Sequence, residues 1–456
     1  MRIAMIGGGY VGLVSAACFA EFGNQVAVVE THPGRLAALA KGQIPIYEPG
    51  LDKLVADNIE SGRLSFGDDI AAAVDGAEAI FIAVGTPPRN GDGHADLTYV
   101  FAAAEQVARA MTGYAVIVTK STVPVGTGRR IAEIVERVRP ELDFDMASNP
   151  EFLREGSAIG DFMKPDRVVI GTDTERPGAE RAHEVMRRLY RPLYLIEAPI
   201  LFTSLESAEL IKYAANSFLA MKISFINEMA DLCERVGADV HEIARGIGLD
   251  GRIGPKFLHA GPGYGGSCFP KDTLALMRIA QEAGASSRMV EATVQVNDAR
   301  KASMGARIMS ACGGSVRGKT IAVFGLTFKP ETDDMRDAAS IPIIHRLVEN
   351  GALIRAFDPA GMQAARPLLP ERGVTYCVNA LEAAQGSDAI LVLTEWNEFR
   401  ALSPARLRGL MQGRVVIDLR NIYDPAAMQA AGLDYSSIGR PRMRHDAPLG
   451  RLANDI

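Results

Sequence analysis

The stretch RIAMIGGGYVG, residues 2–12, decides the fold of the first part of the chain. A short apolar run leads into three consecutive glycines, and an apolar helical pattern follows at Tyr10–Phe22. In a Gly-x-Gly-x-x-Gly turn, the first glycine permits the turn, the second lets the backbone approach a pyrophosphate, and the third lets helix and strand pack closely. The N–H groups at the helix N-terminus then face the phosphates. The spacing of Gly7, Gly9 and Gly12 therefore predicts a dinucleotide-binding unit.

An acidic residue, Glu30, closes the next apolar run, Gln25–Glu30. A carboxylate at this point accepts hydrogen bonds from a ribose 2′-hydroxyl, which favours NAD over NADP. Arg35 follows closely in the sequence, and a guanidinium there can neutralise a 2′-phosphate, which tempers that preference. We predict NAD binding at this turn, and the alternative is a glycine-rich turn that binds nothing.

The composition is that of a globular protein, with 456 residues of which 48% are hydrophobic and 23% charged. At roughly 150 residues per domain, this length predicts two or three domains. The net charge of −6 argues against broad binding to nucleic acid or to anionic membranes. The five cysteines are scattered without a CxxC pair, and the seven histidines show no metal-ligand spacing. We therefore expect reduced thiols, no structural metal and a cytoplasmic location.

The first residues superficially resemble a signal peptide, because residues 3–20 carry no charge. Four glycines fall within that stretch, however, and glycine weakens a hydrophobic helix. A strand, a tight turn and a helix explain the same residues better. The sequence is therefore not expected to direct export.

Apolar runs of strand length alternate with helical patterns at both ends of the chain. The alternation predicts α/β architecture, with parallel sheets covered by helices on both faces. Residues 75–87 are loosely repeated at 385–396, so we expect two versions of one doubly wound arrangement. The predicted strands are Arg2–Ile6, Gln25–Glu30, Ala79–Val84, Tyr114–Thr119, Arg167–Ile170, Lys319–Gly325, Leu353–Asp358, Asp388–Leu393 and Arg414–Leu419.

The pattern changes between the two ends. From about Leu205 to Val236, apolar residues recur every three or four positions, which predicts one amphipathic helix of about 45 Å. A helix of this length is expected to join two domains, and its surplus apolar surface to form a dimer interface. The predicted segments are an NAD-binding domain at 1–204, a helical dimerisation domain with the Cys268 loop at 205–312, a second α/β domain at 313–440 and a flexible tail at 441–456.

A glycine-rich loop, 251–266, leads into the stretch GYGGSCFPKD that carries Cys268. Pro270 suits the first turn of a helix, so Cys268 is expected at or just before a helix N-terminus. The helix dipole and the neighbouring Lys271 both favour a thiolate there, which predicts a catalytic nucleophile. The alternative is a structural cysteine, the role that apolar surroundings predict for the other four.

Two pairs of polar residues are spaced four apart. Lys212 and Asn216 share one face of the long helix, and Glu151 and Glu155 have the same spacing. Each pair belongs either to a site or to a structural or solvated face, and the spacing leaves both readings open. Thr122 follows a predicted strand at its carboxyl end, where open parallel sheets bind ligands.

At these residues the sequence resembles the UDP-glucose 6-dehydrogenase family, within the wider group of NAD-dependent nucleotide-sugar dehydrogenases. The resemblance covers nearly the whole chain except the tail, and the ordered set of motifs is highly specific. It implies two Rossmann-like domains joined by a long dimer-forming helix, with a UDP-sugar bound between them. The matching segments are GGGYVG (7–12), FIAVGTP (81–87), KSTVPVGT (120–127), NPEFLREG (149–156), ELIKYAANSFLAMKISFINE (209–228), GRIG (251–254), GPGYGGSCFPKDT (261–273) and FGLTFKPETDDMRDAAS (324–340).

The resemblance also implies a role for each matching residue. The group implied at the reacting carbon is the nucleophile Cys268 with Lys212, Asn216 and Asp272, and Thr122 and Glu155 are implied near a catalytic water. The residues implied to bind NAD are Gly7, Gly9, Val11, Gly12, Glu30, Arg35, Thr86, Thr122, Glu155, Lys271 and Arg336. Those implied to bind the UDP-sugar are Glu151, Phe152, Leu153, Arg154, Glu155, Lys212, Asn216, Phe257, Leu258, His259, Ala260, Gly261, Gly265, Lys329 and Arg420, with Arg252 reaching the partner subunit's site. Glu30 and Arg35 are mild departures from the Asp and Lys that the family often has.

The implied reaction is a four-electron oxidation of the sugar C6 alcohol with two NAD⁺, through a thiohemiacetal and a thioester on Cys268. Lys212 and Asn216 suit the stabilisation of an oxyanion, and Asp272 suits the activation of a water. The first proton acceptor, a water held by Glu155 and Thr122 or else Lys212, stays open. The alternatives are a sister enzyme acting on GDP-mannose or a UDP-N-acetylhexosamine, a two-electron alcohol dehydrogenase, and a non-catalytic NAD-binding protein.

Overall fold

A computed structural model describes residues 1–87, 89, 94–174 and 178–446. The chain divides into two compact units. The first consists of residues 1–215 and 278–284, and the second of residues 216–277 and 285 onward. Each unit is built around its own sheet.

The described residues of the first unit form an eight-stranded sheet in the order β3-β2-β1-β4-β5-β6-β7-β8. The first six strands of this order match the Rossmann arrangement 3-2-1-4-5-6. Neighbouring strands are parallel except β6 and β7, which are antiparallel, so the prediction of a parallel sheet is correct up to β6. The strands are β1 Arg2–Ile6, β2 Gln25–Val29, β3 Leu64–Gly67, β4 Ala79–Ile82, β5 Ala115–Thr119, β6 Phe144–Ser148, β7 Val168–Thr172 and β8 Ile200–Ser204.

Helices cover both faces of this sheet. Successive side chains of one strand point to opposite faces and pack into different apolar clusters. In β1, Ile3 and Met5 pack into one apolar cluster and Ala4 and Ile6 into another. A strand buried on both faces reads as a continuous apolar run, which is why β1 was visible in the sequence. The helices are α1 Tyr10–Glu21, α2 Pro33–Leu39, α3 Leu51–Glu60, α4 Ile70–Val74, α5 Thr98–Ala110, α6 Thr127–Val138, α7 Ala158–Met163 and α8 Ala179–Leu189, with a 3-10 helix at Arg191–Ile196.

The predicted long helix is present as α9, Leu205–Val236, a single helix of 32 residues. It begins in the first unit and continues in the second. Three large apolar side chains on it, Phe218, Phe225 and Leu232, are seven residues apart and are 58%, 46% and 49% exposed. Neither α9 nor any other helix of the described residues is long and apolar enough to span a membrane.

The second unit contains a six-stranded parallel sheet, counted over the described residues, in the order β11-β10-β9-β12-β13-β14. This repeats the order of the first six strands of the other unit, which confirms the prediction of one architecture used twice. The strands are β9 Thr320–Phe324, β10 Leu353–Phe357, β11 Val374–Tyr376, β12 Ala389–Val392, β13 Val415–Asp418 and β14 Asp434–Ser437. The helices are α10 Val240–Gly248, α11 Phe269–Glu282, whose residues from Arg278 belong to the first unit, α12 Arg288–Ala311, α13 Ser340–Glu349, α14 Met362–Ala365, α15 Ala380–Ala384, α16 Asn397–Arg400, α17 Pro404–Leu410 and α18 Pro425–Ala430.

The segment predicted as a flexible tail, 441–456, starts with residues that pair with the last strand. Met443 forms an antiparallel bridge with Tyr435. The backbone N–H of His445 donates to Oδ1 of Asp434 at 3.0 Å. The polar composition of 441–446 therefore does not prevent these residues from adding to the edge of β14. Residues 447–456 lie outside the described residues.

Candidate active site

The turn between β1 and α1 leaves open space at one of its glycines. A Cβ on Gly12 would lie 2.0 Å from the carbonyl oxygen of Gly7, so this position excludes any side chain. Nothing lies within 4 Å of the place where a Cβ of Gly9 would stand, one residue before α1 begins. The backbone N–H groups at the start of α1 face anions favourably. The turn and the start of α1, where Val11 lies, therefore fit a dinucleotide pyrophosphate.

Glu30 and Arg35 neutralise one another beside this turn. The Glu30 side chain is buried, and its Oε1 accepts a hydrogen bond from the backbone N–H of His32 at 2.7 Å. Its Oε2 lies 3.8 Å from Nη1 of Arg35, whose side chain is half exposed. Because the carboxylate already balances the guanidinium, a cofactor 2′-phosphate would meet no uncompensated positive charge here and would lie near a carboxylate. The pair therefore favours NAD, as the sequence predicted.

A second contact links a predicted cofactor residue to a predicted catalytic one. The hydroxyl of Thr86 donates to the backbone carbonyl of Thr122 at 3.0 Å. Thr86 follows β4 and Thr122 follows β5, and these strands are neighbours in the sheet. The carboxyl ends of parallel strands meet at one edge, which brings the two threonines together.

The first unit also buries an ion pair between two predicted site residues. Nζ of Lys212, on α9, lies 3.0 Å from Oε1 of Glu151, and both side chains are buried. Nζ of Lys212 also lies 5.4 Å from the ring centroid of Phe152. Burial raises the pKa of Glu151, but the charge and hydrogen bond of Lys212 and the N–H of Leu153 outweigh it, so the net pKa is lowered. Glu151 is therefore ionised at neutral pH.

A lysine that the sequence analysis did not single out lies close to this pair. Lys120 is buried, and its Nζ donates to Oδ1 of Asn149 at 3.0 Å. Burial, with the like charge of Lys212, lowers its pKa to about 8, although the opposite charge of Glu151 acts to raise it. Lys120 directly follows the apolar strand β5, and this position at the end of a buried strand was the signal in the sequence. Because lysine is rarely buried unless it is paired, a lysine at such a position indicates a polar site.

Glu209 was also missed, although it lies one turn before Lys212 on α9. Its carboxylate accepts hydrogen bonds from the N–H groups of Gly126 at 2.6 Å and Gly128 at 2.8 Å, and from the hydroxyl of Ser148 at 3.1 Å. Burial nevertheless raises its pKa to about 7. A small cavity beside it is lined by Thr119, Ser121, Thr122, Val123, Ser148, Pro150, Glu209 and Lys212.

In the second unit, Cys268 lies directly before α11, which begins at Phe269. This confirms the predicted helix start. The carbonyl oxygen of Cys268 accepts a hydrogen bond from the N–H of Asp272 at 2.9 Å, and the thiol is half-buried. The other four cysteines are buried; burial raises the pKa of Cys18 to about 12 and raises the pKa of Cys233, Cys312 and Cys377.

Asp272 brings two further predicted site residues together. Its Oδ2 accepts from Nδ2 of Asn216 at 2.6 Å, and its Oδ1 lies 2.9 Å from Nζ of Lys271. The carboxylate is buried, so the amide and the ammonium compensate its charge where water does not. Cys268, Asp272, Asn216 and Lys271 thus form one local cluster at the start of α11.

The loop before Cys268 holds its backbone in unusual conformations. Phe257 has φ of 66°, a left-handed conformation that is rare for a bulky residue. A Cβ on Gly265 would lie 2.4 Å from the carbonyl oxygen of Asp337, so only glycine fits. The N–H of Gly261 donates to Oδ1 of Asn227 at 2.8 Å. Of the remaining predicted loop residues, Leu258 and Ala260 are buried and His259 is exposed.

Arg420 is bound to backbone of its own unit. Its Nε donates to the carbonyl of Leu393 at 2.8 Å, and its Nη2 donates to that of Phe328 at 2.7 Å. A Cβ on Gly261 would lie 3.4 Å from its Nη1, so the guanidinium borders the glycine loop. Nζ of Lys329 lies 5.4 Å from the ring centroid of Phe328, which places both predicted cations beside this loop region of the unit.

Three predicted arginines pair with nearby carboxylates of their own segments. Arg252, 90% exposed, has Nη2 2.6 Å from Oδ2 of Asp250. Arg336 contacts Asp334 through Nε at 2.8 Å, and Arg154 contacts Asp161 through Nη2 at 2.6 Å. Each of these guanidinium groups is thus bound to a carboxylate close to it in sequence, and the ligand roles of the three arginines stay predictions, as does that of the half-buried Glu155. Among the described residues, no group of three or more His, Cys, Asp or Glu side chains is arranged to hold a metal.

Three models of one protein family match successive parts of the chain. Residues 1–194 match the NAD binding domain of the UDP-glucose/GDP-mannose dehydrogenase family. Residues 206–299 match its central domain, and residues 322–425 match its UDP binding domain. These matches confirm the resemblance drawn from the motifs and assign NAD as the cofactor of the family's first domain.

Similar proteins align with the chain almost end to end. It is 57% identical over 442 residues to a UDP-glucose 6-dehydrogenase of Rhizobium meliloti, covering 97% of this chain and 100% of that protein. The structure of a UDP-glucose dehydrogenase from Pyrobaculum islandicum matches with a TM-score of 0.86 and 39% identity, covering 95% of this chain and 96% of that one. A UDP-D-ManNAc dehydrogenase from Pyrococcus horikoshii matches with a TM-score of 0.82 and 26% identity, covering 96% and 99%. The chain therefore belongs to the UDP-glucose/GDP-mannose dehydrogenase family.

Proposed function

We propose that the chain oxidises UDP-glucose to UDP-glucuronate, a four-electron oxidation that reduces two NAD⁺. The observation that carries this proposal is the cluster at the start of α11, where Cys268 precedes a helix and Asp272 is bound by Asn216 and Lys271. A two-electron alcohol dehydrogenase has no use for such a thiol. The names of relatives 57% and 48% identical, both UDP-glucose 6-dehydrogenases, support UDP-glucose over other nucleotide sugars.

NAD⁺, when bound, supplies the hydride acceptor for both oxidations. We propose that its pyrophosphate lies at the open side of Gly9 and that Glu30 binds its ribose. The other residues proposed to contact it are Gly7, Val11, Gly12, Arg35, Thr86, Thr122, Glu155, Lys271 and Arg336.

Cys268 provides the covalent step. Its thiolate sulfur forms a bond to the aldehyde carbon left by the first oxidation, which gives a tetrahedral thiohemiacetal with a C–H bond and an oxygen that can carry charge. Loss of a hydride and a proton from this adduct leaves a thioester. Water then displaces the sulfur, releasing the carboxylate and restoring the thiol. Lys212 and Asn216 stabilise the oxyanion, and Asp272 orients or activates the water.

The Lys212–Glu151 ion pair bears on the choice of the first proton acceptor. Glu151 is ionised and lies 3.0 Å from Nζ of Lys212, which favours the charged ammonium. An ammonium donates hydrogen bonds and does not accept a proton. The pair therefore supports a water held by Thr122 and Glu155 as the acceptor of the first proton.

The remaining predicted residues and the assembly belong to the same proposal. The residues proposed to bind the UDP-sugar besides Glu151 and Lys212 are Phe152, Leu153, Arg154, Glu155, Asn216, Phe257, Leu258, His259, Ala260, Gly261, Gly265, Lys329 and Arg420. The proposed domains are 1–204, 205–312 and 313–440, of which the last binds UDP, and 441–456 is proposed as a tail.

We further propose a homodimer formed along α9. The exposed apolar row Phe218, Phe225 and Leu232 repeats every seven residues, which places these side chains on one stripe that a second copy can cover. Arg252, exposed beyond the end of α10, is proposed to complete the partner subunit's site. A cytoplasmic location is supported by the cysteines, since all five lie in described residues and none forms a disulfide.

The test is the stoichiometry of NADH formed per nucleotide sugar consumed, with NAD⁺ in excess. UDP-glucose, GDP-mannose and a UDP-N-acetylhexosamine are compared under equal conditions. Two NADH per UDP-glucose, with UDP-glucuronate as product, is the expected result. One NADH and an aldehyde would indicate a two-electron dehydrogenase, preference for another sugar would indicate a sister enzyme, and no NADH from any of them a non-catalytic protein.

A further inference from the structure

Glu48 is a buried carboxylate that lies outside every motif named above. It belongs to the segment IYEPG, 46–50, between α2 and α3. Its Oε2 accepts hydrogen bonds from the hydroxyl of Tyr10 and from the backbone N–H of Gly156, the latter at 2.6 Å. Its Oε1 accepts from the N–H of Ala158 at 2.8 Å. A buried charge held by three donors has a defined position, because moving it would leave those donors unpaired.

These donors come from the two segments that the proposed reaction must align. Tyr10 is the first residue of α1 and lies between Gly9 and Val11 in the dinucleotide turn. Gly156 directly follows Glu155, at the end of the segment 151–155 proposed to hold the sugar. That segment lies outside helices and strands. One carboxylate thus connects the cofactor turn to an irregular segment more than a hundred residues later.

The Tyr10 hydroxyl is a proton donor to Glu48 at neutral pH. Burial raises the pKa of the Tyr10 hydroxyl, and the hydrogen bond and charge of Glu48 raise it further. The hydroxyl therefore stays protonated and donates at neutral pH. Gly156, whose N–H donates to Glu48, has φ of 78°, a left-handed conformation that favours glycine. The backbone next to the segment 151–155 therefore has a defined conformation at this contact.

We propose that Glu48 is a positioning residue, which sets the sugar-binding segment 151–155 against the dinucleotide turn so that the carbon to be oxidised and the cofactor meet at reacting distance. The inference rests on the proposed function. Hydride transfer requires alignment to within a fraction of an ångström, and a displacement of about 1 Å costs about 100-fold in rate. Glu48 touches neither ligand in this proposal, so its removal is expected to affect the chemical step more than either binding step.

Tyr10→Phe is the first test variant, because it removes only the bond to the cofactor turn and leaves the bonds from Gly156 and Ala158. Glu48→Gln is the second test variant. Its amide N–H₂ replaces one accepting oxygen, so at least one of the donors that Glu48 binds would face another donor. Tyr114→Phe is the matched control: the Tyr114 hydroxyl donates to Oδ2 of Asp145 at 2.7 Å in the same unit, away from the predicted site residues. The measurements are kcat, both KM values, the Tm and the isotope effect on kcat with UDP-glucose deuterated at C6.

We expect kcat to fall about 10-fold to 100-fold in Tyr10→Phe, with both KM values within about 3-fold of wild type. The isotope effect should rise, because misalignment makes hydride transfer rate-limiting. Tyr114→Phe should lose as much Tm as Tyr10→Phe and keep its kcat. The double variant Tyr10→Phe/Glu48→Gln should have the same kcat as Glu48→Gln alone, because Tyr10 acts through Glu48.

A loss of Tm without a change in kcat or isotope effect in Tyr10→Phe would make Glu48 merely structural and overturn the proposal. Equal losses of kcat in Tyr114→Phe would overturn it too. If Glu48→Gln does not fold, Tyr10→Phe decides the question alone. A wild-type chain that oxidises no nucleotide sugar would overturn the proposed function and this role with it, whereas an active wild type with unaffected variants overturns only the role of Glu48.

Discussion

Nζ of Lys212 and Oε1 of Glu151 are 3.0 Å apart, and both side chains are buried. Lys212 comes from helix α9 and Glu151 from the segment after β6, so the pair joins two elements of the first unit. A buried ion pair is a sensitive contact, because removing one partner leaves the other charged and without water.

Lys212→Met should lower kcat by about 100-fold or more, since an oxyanion donor is lost. It should also reduce the free energy of unfolding at pH 7 by about 3–5 kcal/mol, because Glu151 then remains buried without its ion-pair partner. The lowered pKa of Glu151 contributes stability above its unfolded pKa that is lost as pH falls through its folded pKa. Urea unfolding at pH 7 and at pH 3 should therefore show a smaller deficit at pH 3. An equal deficit at both values would contradict this account.

Cys268→Ser should abolish steady-state turnover while NAD and UDP-glucose still bind, because the thiol acts in covalent chemistry and not in holding the ligands. Binding is measured by titration calorimetry and turnover by NADH absorbance. Cys18→Ser is the control: its thiol is buried in α1, and the variant should keep its activity and lose at most some stability. Wild-type turnover in Cys268→Ser would exclude the thioester mechanism.

Glu30→Ala should raise the KM for NAD and relax discrimination against NADP. The variant loses an acceptor for the ribose and releases Arg35, which lies 3.8 Å from Glu30, toward a 2′-phosphate. The measurement is kcat/KM for both cofactors, with Arg35→Ala as the matched variant that should not gain NADP activity. Unchanged cofactor preference in Glu30→Ala would mean that this carboxylate does not bind the ribose.

Arg252→Ala should weaken UDP-glucose binding and leave the KM for NAD nearly unchanged. The physical reason is the loss of a guanidinium that is proposed to reach the UDP-sugar in the partner subunit's site, so the KM for UDP-glucose should rise. The sharper measurement mixes Arg252→Ala subunits with Cys268→Ser subunits, each nearly inactive alone. A mixed dimer then contains one site with both residues intact.

Activity should return on mixing, in proportion to the mixed dimers formed. Subunit exchange is verified by mass spectrometry of differently tagged chains. No recovery despite exchange would place the action of Arg252 in its own chain.

Glu209→Gln should change how stability depends on pH. Burial raises the pKa of Glu209 to about 7, above the value of about 4.3 expected in the unfolded chain. The folded state therefore holds the proton more tightly, and the stability this group contributes is present below pH 4.3 and lost as pH rises through 7. The loss is on the order of 3 kcal/mol.

Urea unfolding of wild type and Glu209→Gln between pH 4.5 and 8 measures this effect. The wild-type free energy of unfolding should fall more steeply with pH than that of the variant, up to about pH 7. Parallel curves for the two proteins would contradict the raised pKa.

Local patterns were sufficient to predict several elements and the position of Cys268 before a helix. The recurrence of apolar residues every three or four positions predicted a helix from about Leu205 to Val236, and α9 has these bounds. Pro270 predicted that Cys268 lies at or just before a helix N-terminus, and α11 begins at the next residue, Phe269. The glycine spacing predicted the β1–α1 turn. Each of these features depends on hydrogen bonds and steric limits within a few residues, so residues close together in the sequence are enough to predict it.

Short or mixed strands were not visible in the same way. Strands β3, β6, β8, β11 and β14 are three to five residues long, and several include polar residues, so an apolar run does not mark them. The antiparallel pairing of β6 and β7 also has no local signal, because strand direction is set by the connection between strands and by their neighbours in the sheet.

The sequence alone determined that this chain has a dinucleotide turn, a long central helix and a cysteine at a helix start, since these features follow from short-range spacing. Only the tertiary structure decided which N–H and O–H groups donate hydrogen bonds to each buried carboxylate. Glu48 meets the N–H groups of Gly156 and Ala158, and Glu209 meets those of Gly126 and Gly128, across long stretches of chain. The physical reason is burial: a carboxylate removed from water must find donors wherever the fold places them, and no local pattern specifies that place.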